Sequence, residues 1–194
     1  MSMYHDGNRE LQDLFGSRPL ADRLAERLRH SEFSGDDKVF IESLEFSFLA
    51  TASPSGQPDC SFKGGAPGFA RVVSPNLLVW PDYDGNGMFK SLGNIASNPS
   101  VGLLFMRFGE TPRRLRVNGH AVLSMNDPLL PEFPGAQAIV RVTPIDIFPN
   151  CPRYIPDPAT AKASPYIPCQ GVAPVEPKWK SSDMFRDVVP PRKV

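Results

Sequence analysis

Short strand-like segments separated by turn signals fill the middle of this chain, and this pattern most strongly limits its fold. Phe46–Ala52 is followed by the turn Pro54-Ser55-Gly56 and by a hairpin partner, Pro58–Lys63. The further strand-like segments are Phe69–Val73, Leu77–Trp80, Val101–Phe108, Leu115–Leu123 and Ala138–Ile147. Six or seven short strands at this spacing are typical of a small, mainly β barrel.

The first 45 residues are predicted to be helical. Pro19 suits the first helical position of a segment whose leucines recur every four residues. Gly35 is expected to break the helix that begins at Pro19. One of the two aspartates that follow, Asp36 or Asp37, is expected to cap a second short helix.

The C-terminal segment is rich in proline. Ten of the 22 prolines of the chain lie between Pro149 and Val194, which predicts an extended, irregular path. Tyr166, Trp179 and Phe185 are expected to anchor this segment on the protein, since a disordered tail lacks such residues. We therefore predict one domain in three parts: a helical segment over residues 1–45, the barrel over residues 46–150 and a proline-rich strap over residues 151–194.

Charge and cysteine content exclude several classes of function. The 194 residues include 21 basic and 21 acidic side chains, and this balance disfavours nucleic acid and acidic membranes as partners. No apolar run reaches the length of a membrane span, and the polar first residues predict no secretory signal. Cys60, Cys151 and Cys169 are an odd number without C-x-x-C spacing. They favour a cytoplasmic location and indicate neither a disulfide scaffold nor a metal site.

The glycine-rich loop Asp84–Ser91 is the most informative segment. It leads from a predicted strand into a predicted helix over Met88–Ser97, whose apolar face would begin at Phe89. Backbone N–H groups at a helix start, with the ammonium group of Lys90 and the hydroxyl of Ser91, can form an anion site. The alternative is an ordinary glycine-rich turn, because the spacing matches neither a P-loop nor a dinucleotide fingerprint.

Two further groups of basic residues are candidates for binding an anion. Lys63 precedes Gly64-Gly65, where a backbone can approach a ligand closely; the alternative is an exposed lysine at a strand end. The second group is an arginine cluster of Arg107, Arg113, Arg114 and Arg116. It is either an anion-binding patch or a solvated strand edge.

The sequence contains no motif typical of acid–base, nucleophilic or metal catalysis. His5, His30 and His120 have no metal-ligand spacing, and no G-x-S-x-G is present. Cys60 has no histidine within sequence reach. Catalytic residues are therefore unassigned, and an enzyme built this way would take its reactivity from an organic cofactor.

Three motifs follow one another in a characteristic order. They are Cys60-Ser61-Phe62-Lys63-Gly64-Gly65, Trp80-Pro81-Asp82-Tyr83-Asp84-Gly85-Asn86-Gly87-Met88 and Asn150-Cys151-Pro152-Arg153-Tyr154-Ile155. This order resembles the pyridoxamine 5′-phosphate oxidase-like family of FMN-binding split barrels, in particular its oxidase-related branch. The resemblance extends from about Val39 to Ile147.

The resemblance implies a six-stranded antiparallel split β-barrel with flanking helices, and a homodimer that holds FMN at its interface. By position, the FMN site would comprise Ser61, Lys63, Arg71, Trp80, Pro81, Asp82, Asn86, Met88, Lys90, Ser91, Arg114 and Arg153. Lys63, Lys90 and Ser91 would converge on the phosphate. Arg114 stands where the true oxidases carry a glutamine that contacts the flavin across the dimer. Arg153 would reach the partner's flavin, unless the strap only covers its own barrel.

The same resemblance implies an FMN-dependent oxidoreductase that acts on an unidentified small molecule, with NAD(P)H as reductant. The C-terminal residues lack the Arg-x-x-x-Arg-Leu-x-Pro-type segment of the true oxidases, so oxidation of pyridoxamine phosphate is not predicted. Three alternatives stay open: a non-catalytic flavin carrier or sensor, a heme-handling protein, and a barrel that has lost its cofactor.

Overall fold

The computed structural model describes residues 2–158 and 175–190. The chain divides into two compact units. One comprises Met1–Arg29, Phe108–Thr111 and Cys151–Val194, and the other His30–Arg107 and Pro112–Asn150. Tyr166 and Cys169 lie outside the described residues.

A seven-stranded antiparallel sheet forms most of the second unit. Its strands are β1 (Phe46–Ala52), β2 (Pro58–Gly64), β3 (Arg71–Ser74), β4 (Leu77–Tyr83), β5 (Ser100–Arg107), β6 (Arg113–Ser124) and β7 (Ala136–Asn150). The spatial order β2-β1-β5-β6-β7-β4-β3 leaves β2 and β3 at the edges, and no ladder joins these edges within the described residues. The split-barrel fold is confirmed. The six strands that the resemblance implied are one too few, because all seven strand-like segments of the sequence form strands, including the short β3, which pairs with β4.

A β-bulge bends the longest ladder of the sheet, between β6 and β7. The pairing register shifts between Asn118 and Gly119, opposite Pro144. A Cβ atom on Gly119 would lie 2.3 Å from the carbonyl oxygen of Thr143, so the close approach of the two backbones requires glycine here. The bulge allows β7 to continue past Pro144 as far as Asn150, three residues beyond the predicted end at Ile147.

The core lies on one face of these strands. Leu49, Phe105, Val117 and Ile147 are fully buried, and they alternate with outward-facing residues as strand geometry requires. Trp80 on β4 belongs to the same buried cluster.

The helix α3 (Gly35–Glu42) begins two or three residues earlier than predicted, because Ser34 caps it rather than Asp36 or Asp37. The Ser34 hydroxyl accepts a hydrogen bond from the Asp37 N–H at 3.1 Å, while the Asp37 carboxylate accepts from the Ser34 N–H at 3.0 Å. Burial opposes ionisation of Asp37, but the hydrogen bonds from Ser34 and His30 outweigh it and keep the pKa of this carboxyl below its usual value.

Side chains of α3 also protect the edge strand β3. The Lys38 ammonium group donates to the carbonyl oxygen of Val72 at 2.7 Å, and the Glu42 carboxylate accepts from the Val72 N–H at 3.0 Å. These two bonds satisfy backbone groups that an edge strand otherwise leaves unpaired.

The helix α4 (Lys90–Ser97) connects β4 to β5 and begins two residues later than predicted. Leu92 and Ile95 are buried, as expected, whereas Phe89 is 56% exposed. Phe89 is therefore not part of the apolar face, because it precedes the helix in a left-handed conformation.

The first unit contains two helices, α1 (Asp6–Leu14) and α2 (Arg18–Leu28). Pro19 lies in the first turn of α2, as predicted. The Tyr4 hydroxyl donates to the carbonyl oxygen of Ala21 at 3.0 Å and so ties the N-terminal residues to α2. No helix of the described residues is long and apolar enough to cross a lipid bilayer.

The described end of the C-terminal segment packs against α2. The Arg23 guanidinium donates to the carbonyl oxygen of Met184 at 3.0 Å. Trp179 and Phe185 form an edge-to-face pair with ring centroids 5.6 Å apart, and the Trp179 indole N–H lies 3.3 Å from the Cys151 sulfur. Two of the predicted aromatic anchors thus contact one another.

A buried ion pair between Asp127 and Arg141 fixes the connection into β7. The Arg141 Nη2 group donates to Asp127 Oδ1 at 2.8 Å, and the Leu129 N–H donates to the same oxygen at 2.9 Å. These bonds lower the pKa of the Asp127 carboxyl, led by the hydrogen bonds from Arg141, against an opposing effect of burial.

We expect Asp127→Asn to lower the free energy of unfolding at pH 7 by about 2 kcal/mol, the value of hydrogen bonds to a charged group. Because the folded protein has the lower pKa, this stabilisation is present above the unfolded pKa of about 4 and is lost as the pH falls through the folded pKa. Urea unfolding at pH 7 and in steps below pH 4 measures both effects. The exposed Glu110→Gln is the control. If the difference in unfolding free energy between Asp127→Asn and the wild type does not shrink below pH 4, the assigned role of the Asp127 carboxylate is contradicted.

Candidate functional site

A cavity of about 430 Å³ lies between the edge strand β2, the end of β4 and the start of α4. It is within the range of about 300–1,000 Å³ found for small-molecule sites. Seven of the twelve residues predicted for the site line it: Ser61, Lys63, Asp82, Asn86, Met88, Lys90 and Ser91. The fold thus brings these seven residues together at one cavity, although Ser61 and Ser91 are 30 positions apart in the sequence.

A hydrogen bond between two hydroxyls connects β2 to α4. The Ser61 and Ser91 oxygens are 2.9 Å apart, and either can donate. Deeper in the protein, the Asn94 amide donates to the Thr51 hydroxyl on β1 at 2.9 Å. Both bonds hold the first turns of α4 against the sheet, so that Lys63 on β2 and Lys90 on α4 line the same cavity.

The loop before α4 turns sharply into the helix. The Asn86 side-chain oxygen accepts from the Met88 N–H at 3.0 Å, and Gly87 has a φ of 71°. Phe89 follows with a φ of 48°, which is strained for a residue with a side chain. Its side chain does not cap the helix, and the first turn of α4 contains no acidic residue. The N-terminal N–H groups of α4 and their partial positive charge therefore face the loop and the cavity.

The cavity also contains acidic groups. Asp59, Asp82 and Asp84 line it together with the two lysines. The Gln137 amide donates to Asp82 Oδ2 at 2.8 Å across the ladder between β4 and β7. Asp59 shares a face of β2 with Ser61 and Lys63, whereas Asp82 and Asp84 lie at and after the end of β4.

Five predicted residues do not line this cavity. Trp80 and Pro81 are buried in the strand β4. The Arg71 guanidinium binds the Glu132 carboxylate at 2.8 Å and lies 4.1 Å from the centre of the Phe133 ring. Arg114 pairs with Met106 on β5 and Asn150 on β7. Arg153 belongs to the first unit, where its guanidinium lies 5.7 Å from the centre of the Tyr154 ring.

Nine lining residues are outside the predicted set of site residues: Asp59, Phe62, Tyr83, Asp84, Gly85, Gly87, Phe89, Leu92 and Gln137. Asp59 and Phe62 lie on the same strand as Ser61 and Lys63, so the strand assignment contained a signal for them. The sequence contains no local signal for Gln137, because only the pairing of β4 with β7 brings this residue close to Asp82.

The outward face of β1 and β2 carries an aromatic cluster of Phe46, Phe48 and Phe62. The rings of Phe46 and Phe62 are stacked with centroids 5.6 Å apart, and Phe48 meets Phe62 edge to face at 6.3 Å. Phe62 is 63% exposed. The register places Leu104 of β5 beside Phe48, and Arg116 of β6 beside Leu104, so the apolar surface extends towards the arginine cluster.

Comparison with known proteins identifies the family. The family model described as pyridoxamine 5′-phosphate oxidase matches residues 36–156. The chain belongs to this family. The match covers α3, all seven strands, α4 and every residue predicted for the FMN site. No curated protein matches the sequence.

Solved structures of similar proteins include an FMN-binding protein from Syntrophomonas wolfei, with 9% identity and a TM-score of 0.46 over 75% of this chain and 96% of that chain. HupZ from Group A Streptococcus has 17% identity and a TM-score of 0.48 over 60% of this chain and 93% of that chain. The heme storage protein HutZ from Vibrio cholerae has 14% identity and a TM-score of 0.43 over 59% of this chain and 91% of that chain.

No group of three histidine, cysteine, aspartate or glutamate side chains could hold a metal ion among residues 2–158 and 175–190. His120 lies on β6 with an exposed side chain and is not part of the cavity lining.

The left-handed conformation of Phe89 gives a testable expectation. Phe89→Ala removes the side chain and keeps the strain, whereas Phe89→Gly removes both. We expect the glycine variant to be the more stable of the two by about 1 kcal/mol, the reverse of their order inside a helix. Thermal unfolding of the two variants measures the difference. Greater stability of the alanine variant would contradict the conformation.

Proposed function

We propose that this protein binds FMN and uses it as an oxidoreductase on a small molecule. The observation that carries the proposal is the Ser61–Ser91 hydrogen bond, which joins Lys63 and Lys90 at one cavity beside the uncapped start of α4. Membership of the pyridoxamine 5′-phosphate oxidase family supports the same ligand.

The residues present fit a phosphate ester. A phosphate dianion is stabilised by the N–H groups of a helix start together with ammonium and hydroxyl groups, and Lys63, Lys90, Ser61 and Ser91 supply these. Asp82 and Asp84 would repel the phosphate, so we place it between Lys63 and Lys90, whose two positive charges outnumber the single charge of Asp59 on β2. The side of Asp82 and Asp84 is left for the uncharged part of the ligand, where N–H groups can donate to carboxylates.

Bound FMN would supply hydride and electron transfer, which no side chain at the site provides. The protein's own residues would bind and orient the FMN. Lys63 and Lys90 fix the charged end, and the hydroxyls of Ser61 and Ser91 complete its hydrogen bonds. The half-buried Asp82, held by Gln137, fixes the other end.

We also propose that a second copy of the chain covers the aromatic cluster. Exposed apolar area of this kind is typical of interfaces, and the cluster adjoins the cavity through Phe62, which belongs to both. In a two-fold dimer, Arg114 of one chain would approach the cavity of the other. The two described cysteines, the exposed Cys60 and the half-buried Cys151, are not joined in a disulfide, which favours a reducing compartment and hence the cytoplasm.

The visible spectrum of the purified protein tests the cofactor. We expect oxidised-flavin absorption, and about a hundredfold weaker FMN binding in the double variant Lys63→Ala and Lys90→Ala, since two charge-assisted hydrogen bonds are lost. Lys178→Ala, at an exposed lysine of the other unit, is the control. Unchanged FMN affinity in the double variant, or a Soret band in place of flavin absorption, would contradict the proposal.

Turnover is tested separately by mixing the flavin-loaded protein with NADH or NADPH in a stopped-flow instrument. Bleaching of the flavin absorption supports an oxidoreductase. Persistent absorption with both nucleotides would favour a carrier or sensor.

Light scattering after size exclusion tests the partner. We expect a dimer, and we expect Phe62→Glu to convert it largely to monomer, because a buried carboxylate at the interface would be unpaired. Val39→Glu places the same charge at an equally exposed apolar position on α3 and serves as the control. A monomeric wild-type protein would refute the interface.

A further inference from the structure

A second cavity of about 450 Å³ lies along the other side of the α4 start. Both cavities contain Asp82, Phe89, Leu92 and Gln137 in their linings. Any molecule in the second cavity would therefore lie next to the ligand of the first.

The chemistry of the second lining differs from that of the first. Its remaining lining residues are Gly93, Ala96, Leu123, Met125 and Ala138, and no lysine, arginine or histidine of the described residues lines it. Its polar groups are the Asp82 carboxylate and the Gln137 amide, which are hydrogen-bonded to one another through Asp82 Oδ2. Within the described part of the chain, no hydrogen bond engages the second oxygen of Asp82, so an acceptor remains at the boundary of the two cavities.

Gly93 also lines this cavity. It lies within α4, where glycine lowers helix stability relative to alanine. Neither its backbone conformation nor a close contact requires glycine, since a Cβ atom here would meet no atom within 4 Å. Open space over a helical glycine, with Ala96 one turn later, leaves room for another molecule against the backbone of α4.

We infer that the second cavity binds an uncharged, mainly apolar small molecule that donates one hydrogen bond to Asp82. An apolar lining with few polar groups is typical of ligand sites, and an anion would meet the Asp82 carboxylate with no cation to compensate. The identification of this ligand as the molecule on which the flavin acts rests on the proposed function. The binding of the ligand in the cavity does not depend on that function.

Two fluorescent probes with a common skeleton test the inference on the full chain as purified. N-phenyl-1-naphthylamine is uncharged and has one N–H donor, and 1-anilinonaphthalene-8-sulfonate adds an anionic group. We expect the uncharged probe to bind with one site per chain and at least about tenfold more tightly than the sulfonate. Absence of saturable binding of the uncharged probe, or equal or tighter binding of the sulfonate, would overturn the inference.

Variants at Gly93 locate the probe. Gly93→Leu fills the second cavity without entering the lining of the first, and we expect at least about tenfold weaker probe binding with unchanged FMN retention. Gly93→Ala adds only a methyl group and is the matched control. Ala96→Leu fills the cavity from the next turn, so the test stands even if one variant is poorly folded.

Each result separates the two proposals. Probe binding that is lost in both leucine variants supports the cavity, even if the purified protein contains no flavin and the proposed function fails. Probe binding that survives both leucine variants overturns the inference. A change of oligomeric mass in these variants also overturns it, since a second chain would then occupy the cavity.

Discussion

The position of α4 on the sheet depends on two hydrogen bonds, Ser61 to Ser91 and Asn94 to Thr51. The second of these lies in the protein interior, where an unpaired amide or hydroxyl would carry the full cost of desolvation. Together they determine how far the helix start lies from β2, and therefore the shape of the cavity between them. The two lysines become a site only because this spacing is fixed.

The distribution of charge follows from the same arrangement. Lys63 and Lys90 come from two elements that the serine pair connects, whereas Asp82 comes from β4 and is held by Gln137 of β7. Lys90 and Asp82 therefore come from different elements, while Asp59 and Lys63 share the edge strand β2. A ligand with a phosphate at one end and donor groups at the other matches this distribution better than a uniformly charged molecule does.

Most of the strands could be predicted from the sequence, because alternation and turn residues are local signals. Phe46–Ala52 has the predicted bounds. The error at Phe89 is also local in origin: periodicity places it on the helix face, but the turn at Gly87 directs the chain through a left-handed residue. Arg71 shows the limit of sequence reasoning, since its partner Glu132 is 61 residues away. The same is true of Gln137, which reaches Asp82 only through the register of β4 and β7.

The two edge strands of the sheet differ in the side-chain hydrogen bonds that their outward backbone groups receive. At β3, Lys38 and Glu42 bind the outward backbone groups of Val72, whereas no side chain of the described residues does so along β2. A strand held on one side opens locally at a lower free energy than the strands at the centre of the sheet. We therefore expect the amide hydrogens of β2 to exchange with solvent sooner than those of β5 or β6. Local opening of this one strand would withdraw Ser61 and Lys63 from α4 while the centre of the sheet stays folded.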